Sequence, residues 1–127
     1  RTKVKKFKFI LNDFTKKSLK KKYDGIYLLD VLEHISKKEE NLFLTNLKKS
    51  LKTNGSIIIG MPSLESQKYA SKLSKLGHIN CKTKKELRKF LHHHFNNVYL
   101  FSMNDEVVHT GFDKMSHYIL AIANSKK

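Results

Sequence analysis

One stretch constrains this chain more than any other: Tyr23 to Ile35, YDGIYLLDVLEHI. Ile26, Tyr27, Leu28 and Leu29 make a short apolar run of strand-forming residues, bounded by Asp24-Gly25. A run apolar on both faces predicts a central strand of a parallel sheet covered by helices, because a half-exposed antiparallel strand would alternate. Asp30, Glu33 and His34 follow where the strand stops and the chain turns toward a helix. In open α/β sheets that carboxyl end is where ligands bind. The same side chains would serve equally to cap the next helix, and the stretch alone leaves both readings open.

The flanking segments place this strand in a larger order. Lys6 to Leu11, KFKFIL, reads as an earlier strand, broken by Asn12-Asp13 and followed by a basic connection, Lys16 to Lys22. Ser36 and Glu39 have capping-box spacing and predict a helix to about Leu51, with Phe43, Leu44, Leu47 and Leu51 as its buried stripe. Asn54-Gly55 marks a helix stop, SIIIG at Ser56 to Gly60 a second buried strand, and Pro62 the end of that ladder. Leu64 to Leu76 is expected to be helical, carrying Tyr69, Leu73 and Leu76 with its lysines outward. Gly77 to Asn80 breaks it, and Thr83 with Glu86 opens another helix through Leu87, Phe90 and Leu91 to about His94. Asn97 to Met103 and Ser116 to Ala123 read as strands, joined by a polar loop, Asn104 to Met115. Strands alternating with helices indicate an α/β sheet, and the last two strands predict an antiparallel hairpin at one edge.

Composition narrows the functional classes. A chain of 127 residues forms one domain with a real core, and the single cysteine, Cys81, excludes a disulfide framework. That cysteine usage fits a reducing, cytoplasmic setting, and no apolar run approaches the roughly 20 residues of a membrane span. The formal charge of +15 invites a nucleic-acid reading. Against it, only Arg1 and Arg88 are arginines, the side chain suited to bidentate phosphate contact, and the lysines are spread along the chain. Nucleic-acid binding is therefore disfavoured.

YDGIYLLDVLEHI, the capped helix, LKTNGSIIIGMPS and GHINCKTKKELRKFL together resemble the C-terminal part of class I S-adenosylmethionine-dependent methyltransferases. The pattern is most similar to the small-molecule type, including the ubiquinone-biosynthesis O-methyltransferases. The resemblance is strongest over Tyr23 to Ser63. It implies a partial Rossmann-like α/β sheet, mostly parallel, with a C-terminal antiparallel hairpin and with the first two strands missing. Residues 1–22 would then hold the third-strand region and a basic connection, and residues 23–127 the core. It also implies S-adenosyl-L-methionine as cofactor and a small-molecule methyl acceptor. No G-x-G occurs, so the family's glycine-rich cofactor loop is not in this sequence, and the chain is expected to be a fragment that is inactive alone. The alternatives are a non-catalytic binding module of this fold and a basic domain that binds or methylates RNA.

The resemblance also assigns site residues. Asp13 matches the carboxylate that accepts from the adenine amine, with Phe14 against the ring; as part of Asn-Asp it reads equally as a turn residue. Leu29 matches the strand end lining the cofactor's methionine portion, and Asp30 beside it is electrostatically suited to a sulfonium. His34 is the candidate base, with a structural hydrogen bond as its competing role, and Glu33 is expected to buttress the following helix. If Asn97 to Met103 runs parallel to the core strands, its following loop reaches the ligand side, making Asp105 and His109 candidate acceptor contacts, with Glu106 and Asp113 nearby. His92-His93-His94 is not expected to bind a metal, since consecutive helical residues point in different directions, and Cys81 is expected to be inert.

Overall fold

The computed structural model describes residues 8–127. Five strands, β1 (Tyr23–Leu29), β2 (Leu51–Pro62), β3 (Phe95–Asn104), β4 (Val107–His109) and β5 (Tyr118–Lys126), form one sheet in the order β1-β2-β5-β3-β4. Its helices are α1 (Glu40–Lys49), α2 (Lys72–Gly77) and α3 (Lys84–His92). β1 and β2 pair in parallel, and the β2–β5, β5–β3 and β3–β4 pairs are antiparallel. The sheet is thus mixed rather than mostly parallel. The expected pairing of the last two long strands holds, but β5 lies inside the sheet between β2 and β3, and β4 takes the edge. β5 is the physically suited insert: alternation of Ile119, Ala121 and Ala123 puts small and branched side chains under the helices at the sheet's centre.

One face of the sheet carries the core. Phe43, Leu44 and Leu47 of α1 and Leu87, Phe90 and Leu91 of α3 pack in one cluster with Ile57, Ile59, Met61, Leu100 and Ile119. Phe43, Leu44 and Leu47 of the expected stripe are therefore buried on α1, whereas Leu51, also buried, belongs to β2. Among the described residues nothing covers the opposite face, and β1, expected as a central strand buried on both faces, lies at the edge of the sheet. Tyr27, Ile58, Ile122 and Tyr99 form one cross-strand row, and Leu29, Gly60, Leu120 and Phe101 the next. Tyr27 is 75% exposed and Leu29 50%.

Several boundaries differ from expectation. Residues 8–11 carry no strand and Phe9 and Leu11 are exposed; Lys6 and Phe7 lie outside the described residues. A parallel neighbour for β1 would need a crossover of a dozen or more residues, and Asn12 to Lys22 is instead tied against α1. The Leu19 N–H donates to Ser50 Oγ (2.9 Å), and Asn46 Nδ2 donates to the Phe14 carbonyl (2.9 Å). Ser36 donates to the Glu39 carboxylate (2.6 Å) in a turn before α1 rather than closing a box, and α1 begins only at Glu40.

Asn54-Gly55 is not a helix stop. α1 ends at Lys49, and β2 runs from Leu51 straight through Gly55, which lacks a positive φ. Glycine is needed there for close approach: a Cβ would meet the Asp24 carbonyl and the Leu51 side chain at 2.8 Å. The single helix expected over Leu64 to Leu76 is split into a 3-10 turn (Glu65–Tyr69) and α2. Ala70 and Ser71 are extended, and Ser71 Oγ accepts from the Ser74 N–H (3.1 Å), restarting the helix there. Tyr69, Leu73 and Leu76 face solvent rather than the core. Thr83 and Glu86 do form a reciprocal capping box at the start of α3. Among the described residues no helix is long and apolar enough to cross a membrane.

Candidate functional site at the carboxyl end of the parallel strands

β1 ends in a sharp local turn. Asp30 adopts a left-handed φ of 54° while its N–H still reaches the Gly60 carbonyl at 3.1 Å. Aspartate tolerates this conformation better than most residues. The chain then enters a 3-10 turn, Leu32–His34, in which Leu32 is drawn wholly into the core. Glu33 goes in with it, at 0% exposure.

Neither carboxylate oxygen of Glu33 has a hydrogen-bond partner among the described residues. Burial pushes its pKa up, opposed by the polar influence of its own backbone N–H, which makes no hydrogen bond to it, and by the neighbouring imidazoles. His34 Nε2 lies 3.8 Å from Glu33 Oε1, and the rings of His34 and His78 meet edge-on with centroids 5.2 Å apart. His34 Nδ1 is 2.8 Å from the Gly77 carbonyl. A carbonyl only accepts, so Nδ1 carries the proton and Nε2 keeps its lone pair. His78 Nδ1 is held the same way by Gln67 Oε1 at 2.9 Å. One ligand atom from each of Glu33, His34 and His78 lies within 4.8 Å of the others, a metal-compatible group that the sequence reading did not anticipate.

A second layer holds this group in place. The Asn80 N–H donates to the Glu33 carbonyl (2.9 Å), and Asn80 Nδ2 donates to the Ile35 carbonyl (2.9 Å) and to Glu40 Oε2 (2.7 Å). Lys82 Nζ closes the network on Glu40 Oε2 (2.7 Å) and Asn80 Oδ1 (3.0 Å). Both members of the ion pair are largely buried, at 8% and 13% side-chain exposure. The GHINCK stretch after α2 is thereby clamped to α1, and His78 is carried to His34. Cys81 is buried in the same layer, and burial with the nearby Glu33 charge pushes its thiol up to about 11. That fits the expected inert role.

Beside this cluster, Tyr118 of β5 packs over Gly60, where a Cβ would meet its ring at 2.8 Å. Burial, followed by the negative charge of Asp30, pushes its phenol well above the usual range. Asp30, Glu33, His34, His78 and Tyr118 thus form the site. Sequence reading named Asp30 and His34 for it, gave Glu33 a buttressing role and left Tyr118 out. The signal for Tyr118 lay only in pairing, because β5 reaches β2 across more than fifty residues.

The other proposed contacts sit apart from this group. Asp13 accepts from the Thr15 N–H (2.9 Å) and hydroxyl (2.6 Å) in an exposed turn, bonds that hold its pKa low. Phe14 packs edge-on against Phe43, centroids 6.4 Å apart. Leu29 is at the end of β1 on the bare face. β3 runs in the same direction as β1 and β2, so Asp105 and His109 emerge at the correct end. They are displaced sideways: from Leu29 to Phe101 is three strand spacings, roughly 14 Å. His109 accepts from the Gly111 N–H at Nδ1 (3.0 Å) and reaches Asn104 Oδ1 at Nε2 (3.3 Å), so it organises its own loop. In the His92–His94 run the side chains diverge as expected: His93 bonds the Lys89 carbonyl, and buried His94 bonds Asn41.

No protein-family model matches the chain, and no curated protein matches it by sequence. Solved structures do. The small RNA methyltransferase HEN1 superposes with a TM-score of 0.63 at 12% identity, over 89% of this chain and 15% of that one. A Nostoc punctiforme protein assigned provisionally as an O-methyltransferase superposes with a TM-score of 0.63 at 18% identity, over 93% of this chain and 36% of that one. The chain therefore spans well under half the length of these neighbours, and its mixed α/β fold is one found in methyltransferases.

Proposed function

We propose that this chain is the acceptor-side part of an S-adenosyl-L-methionine-dependent methyltransferase domain acting on the hydroxyl of a small molecule. The observation that carries the reading is the convergence of Asp30, an unpartnered buried Glu33, and two oriented imidazoles at the carboxyl ends of β1 and β2. The resemblance over Tyr23 to Ser63 and the two methyltransferase neighbours support it. Among the described residues one sheet face is uncovered and β1 has no neighbour on its outer edge, which supports the fragment reading, because parallel pairs are normally covered on both faces.

The residues fit such a cofactor in part: half-exposed Leu29 offers an apolar wall and Asp30 a carboxylate at the strand end. When bound, the cofactor supplies an electrophilic methyl group on a sulfonium. Asp30 favours positive charge beside it. His34 Nε2, its lone pair free, takes the acceptor's hydroxyl proton, and the imidazolium so formed becomes the missing partner of Glu33, 3.8 Å away. Calorimetry with S-adenosylhomocysteine on the natural polypeptide carrying this chain tests the reading. Binding in the micromolar range that weakens about tenfold in Asp30→Ala is expected; no binding refutes it. Micromolar binding by residues 1–127 alone would refute the fragment part.

The orphaned carboxylate between two imidazoles favours a second reading of the same site. There Glu33, His34 and His78 hold a divalent cation that lowers the acceptor hydroxyl's pKa, in place of His34 acting as base. A rise in Tm with millimolar MnCl2 or MgCl2, absent in His78→Ala, would select it.

A further inference from the structure

The lysines that look dispersed in sequence are gathered by the fold at the opposite pole of the molecule. α1, α3 and β5 all end there, away from the Asp30–Glu33–His34 site. Lys126 pairs at the level of Phe95, six residues down β5 from the Leu120–Gly60 row, roughly 20 Å from it. Two adjoining grooves open between these ends. One, of about 410 Å³, is lined by Lys22, Lys48, Lys49, Lys126 and Lys127 with Thr45. The other, of about 720 Å³, shares Lys127 and adds Lys85, Arg88, Lys89, His92 and His93. No carboxylate and no large apolar side chain lines either groove.

Three of these lysines have an internal duty. Lys48 Nζ donates to the carbonyls of His94 (3.3 Å) and Lys127 (3.0 Å), Lys126 Nζ to those of Lys48 (3.3 Å) and Leu51 (2.6 Å), and Lys127 Nζ to that of His92. They satisfy the free carbonyls of two helix ends and fix the three elements to one another. Helix capping does not account for Lys22, Lys49, Lys85, Arg88 and Lys89. None of these five pairs with a carboxylate among the described residues, where the ion pairs are made by Lys16, His34, Lys52 and Lys82. Crowding is felt in the ammonium of Lys48, held below its usual range by burial and then by Lys126 and Lys127.

We propose that this two-groove face is a docking surface for the phosphate backbone of single-stranded nucleic acid, separate from the methyl-transfer site. Five cations without a carboxylate partner, set along grooves whose floor is tied together by Lys48, Lys126 and Lys127, match a chain of phosphates. An anionic membrane fits less well, since no apolar side chain is placed to insert beside the charges. The exposed face of α3 from Lys85 to His92 runs roughly 10 Å, and Lys49 and Lys22 extend it across the second groove. His92 and His93 add planar faces against which bases can stack. The sequence-based expectation against nucleic acid rested on the scarcity of arginine and on dispersed lysines; the fold removes the second objection, and the first leaves Arg88 as the one arginine of this face. The proposal does not depend on the methyltransferase reading.

The test is fluorescence anisotropy with a fluorescein-labelled single-stranded RNA of about twelve nucleotides of mixed sequence, using the natural polypeptide. About four phosphate contacts predict a slope near −3 for log K against log salt, or roughly a 50-fold loss between 50 and 200 mM. Lys49→Glu/Arg88→Glu/Lys89→Glu should weaken binding by at least about 30-fold. The charge-matched control Lys68→Glu/Lys72→Glu/Lys75→Glu, on exposed positions around α2, should change it by no more than about threefold. An equal loss in both triple variants means attraction by net charge alone and overturns the site. Absence of binding at 50 mM salt overturns it as well, as does binding to phosphatidylserine vesicles without binding to RNA. Unchanged circular dichroism and Tm in both variants keep the comparison about the surface rather than folding.

Discussion

Replacing Glu33 with glutamine should stabilise the ligand-free protein at neutral pH, although it removes a side chain from the centre of the proposed site. Glu33 is fully buried and neither oxygen has a partner among the described residues, so folding removes it from solvent with no hydrogen bond from them in return. A buried unsatisfied group costs about 1–3 kcal/mol, and a charged one more, so a neutral amide of the same shape should recover about 1–3 kcal/mol at pH 7.5. For a domain of this length that is a Tm rise of roughly 3–12 °C.

The pH dependence follows from the direction of the shift. Burial raises the folded-state pKa above the ordinary 4.5, so the folded protein holds this proton more tightly than the unfolded chain. The contribution is fully present below the unfolded value and is lost as pH rises through the folded one. Thermal and urea unfolding from pH 4 to 8, with EDTA present, should therefore show wild type and Glu33→Gln converging in acid and separating as pH rises. Equal stability at pH 7.5, or a less stable variant with a parallel pH profile, would refute the account of Glu33 as an uncompensated buried acid.

Three further outcomes are expected. Lys82→Met should destabilise the chain by about 3–5 kcal/mol in urea unfolding, because it strands Glu40 as a buried unpaired charge; Lys82→Met with Glu40→Leu should recover most of that loss, and a loss unchanged in the double variant would refute the pairing. Gly55→Ala should cost about 2 kcal/mol or more through the 2.8 Å approach to the Asp24 carbonyl, whereas Gly25→Ala, with its nearest contact at 3.9 Å, should lower Tm far less; similar effects would count against close approach as Gly55's role. In the full protein, Asp105→Ala/His109→Ala should raise the acceptor's KM with cofactor affinity unchanged if that loop contacts the acceptor. Unaltered kinetics would confine His109 to the internal loop bonds it makes with Asn104 and Gly111.

Local chemistry was readable wherever a residue's role depends on its near neighbours. Ile26 to Leu29 and Ile57 to Ile59 declared strands by apolar continuity. Phe43, Leu44 and Leu47 declared a buried stripe by spacing, and Thr83 with Glu86 declared a helix start by a bond between them. The carboxyl end of β1 could be marked as a site for the same reason, since Asp30, Glu33 and His34 are adjacent in the chain. Tertiary structure decided whatever depends on distant partners. Gly55 looked like a helix stop because glycine signals a turn locally, and only β1 lying against it makes it a close-approach residue. Tyr69, Leu73 and Leu76 have core-like spacing, yet Ser71 restarts the helix and nothing in the described chain covers them. β5 slots between β2 and β3 through pairings that skip most of the chain, and this brings Tyr118 to Asp30. His78 reaches His34 through the buried Lys82–Glu40–Asn80 clamp, and the cations of α1, α3 and β5 meet only because the ends of these three elements, remote in sequence, converge. A one-dimensional pattern reports spacing along the backbone, whereas pairing across the sheet and burial of charge are settled by which distant segments can satisfy each other's hydrogen bonds.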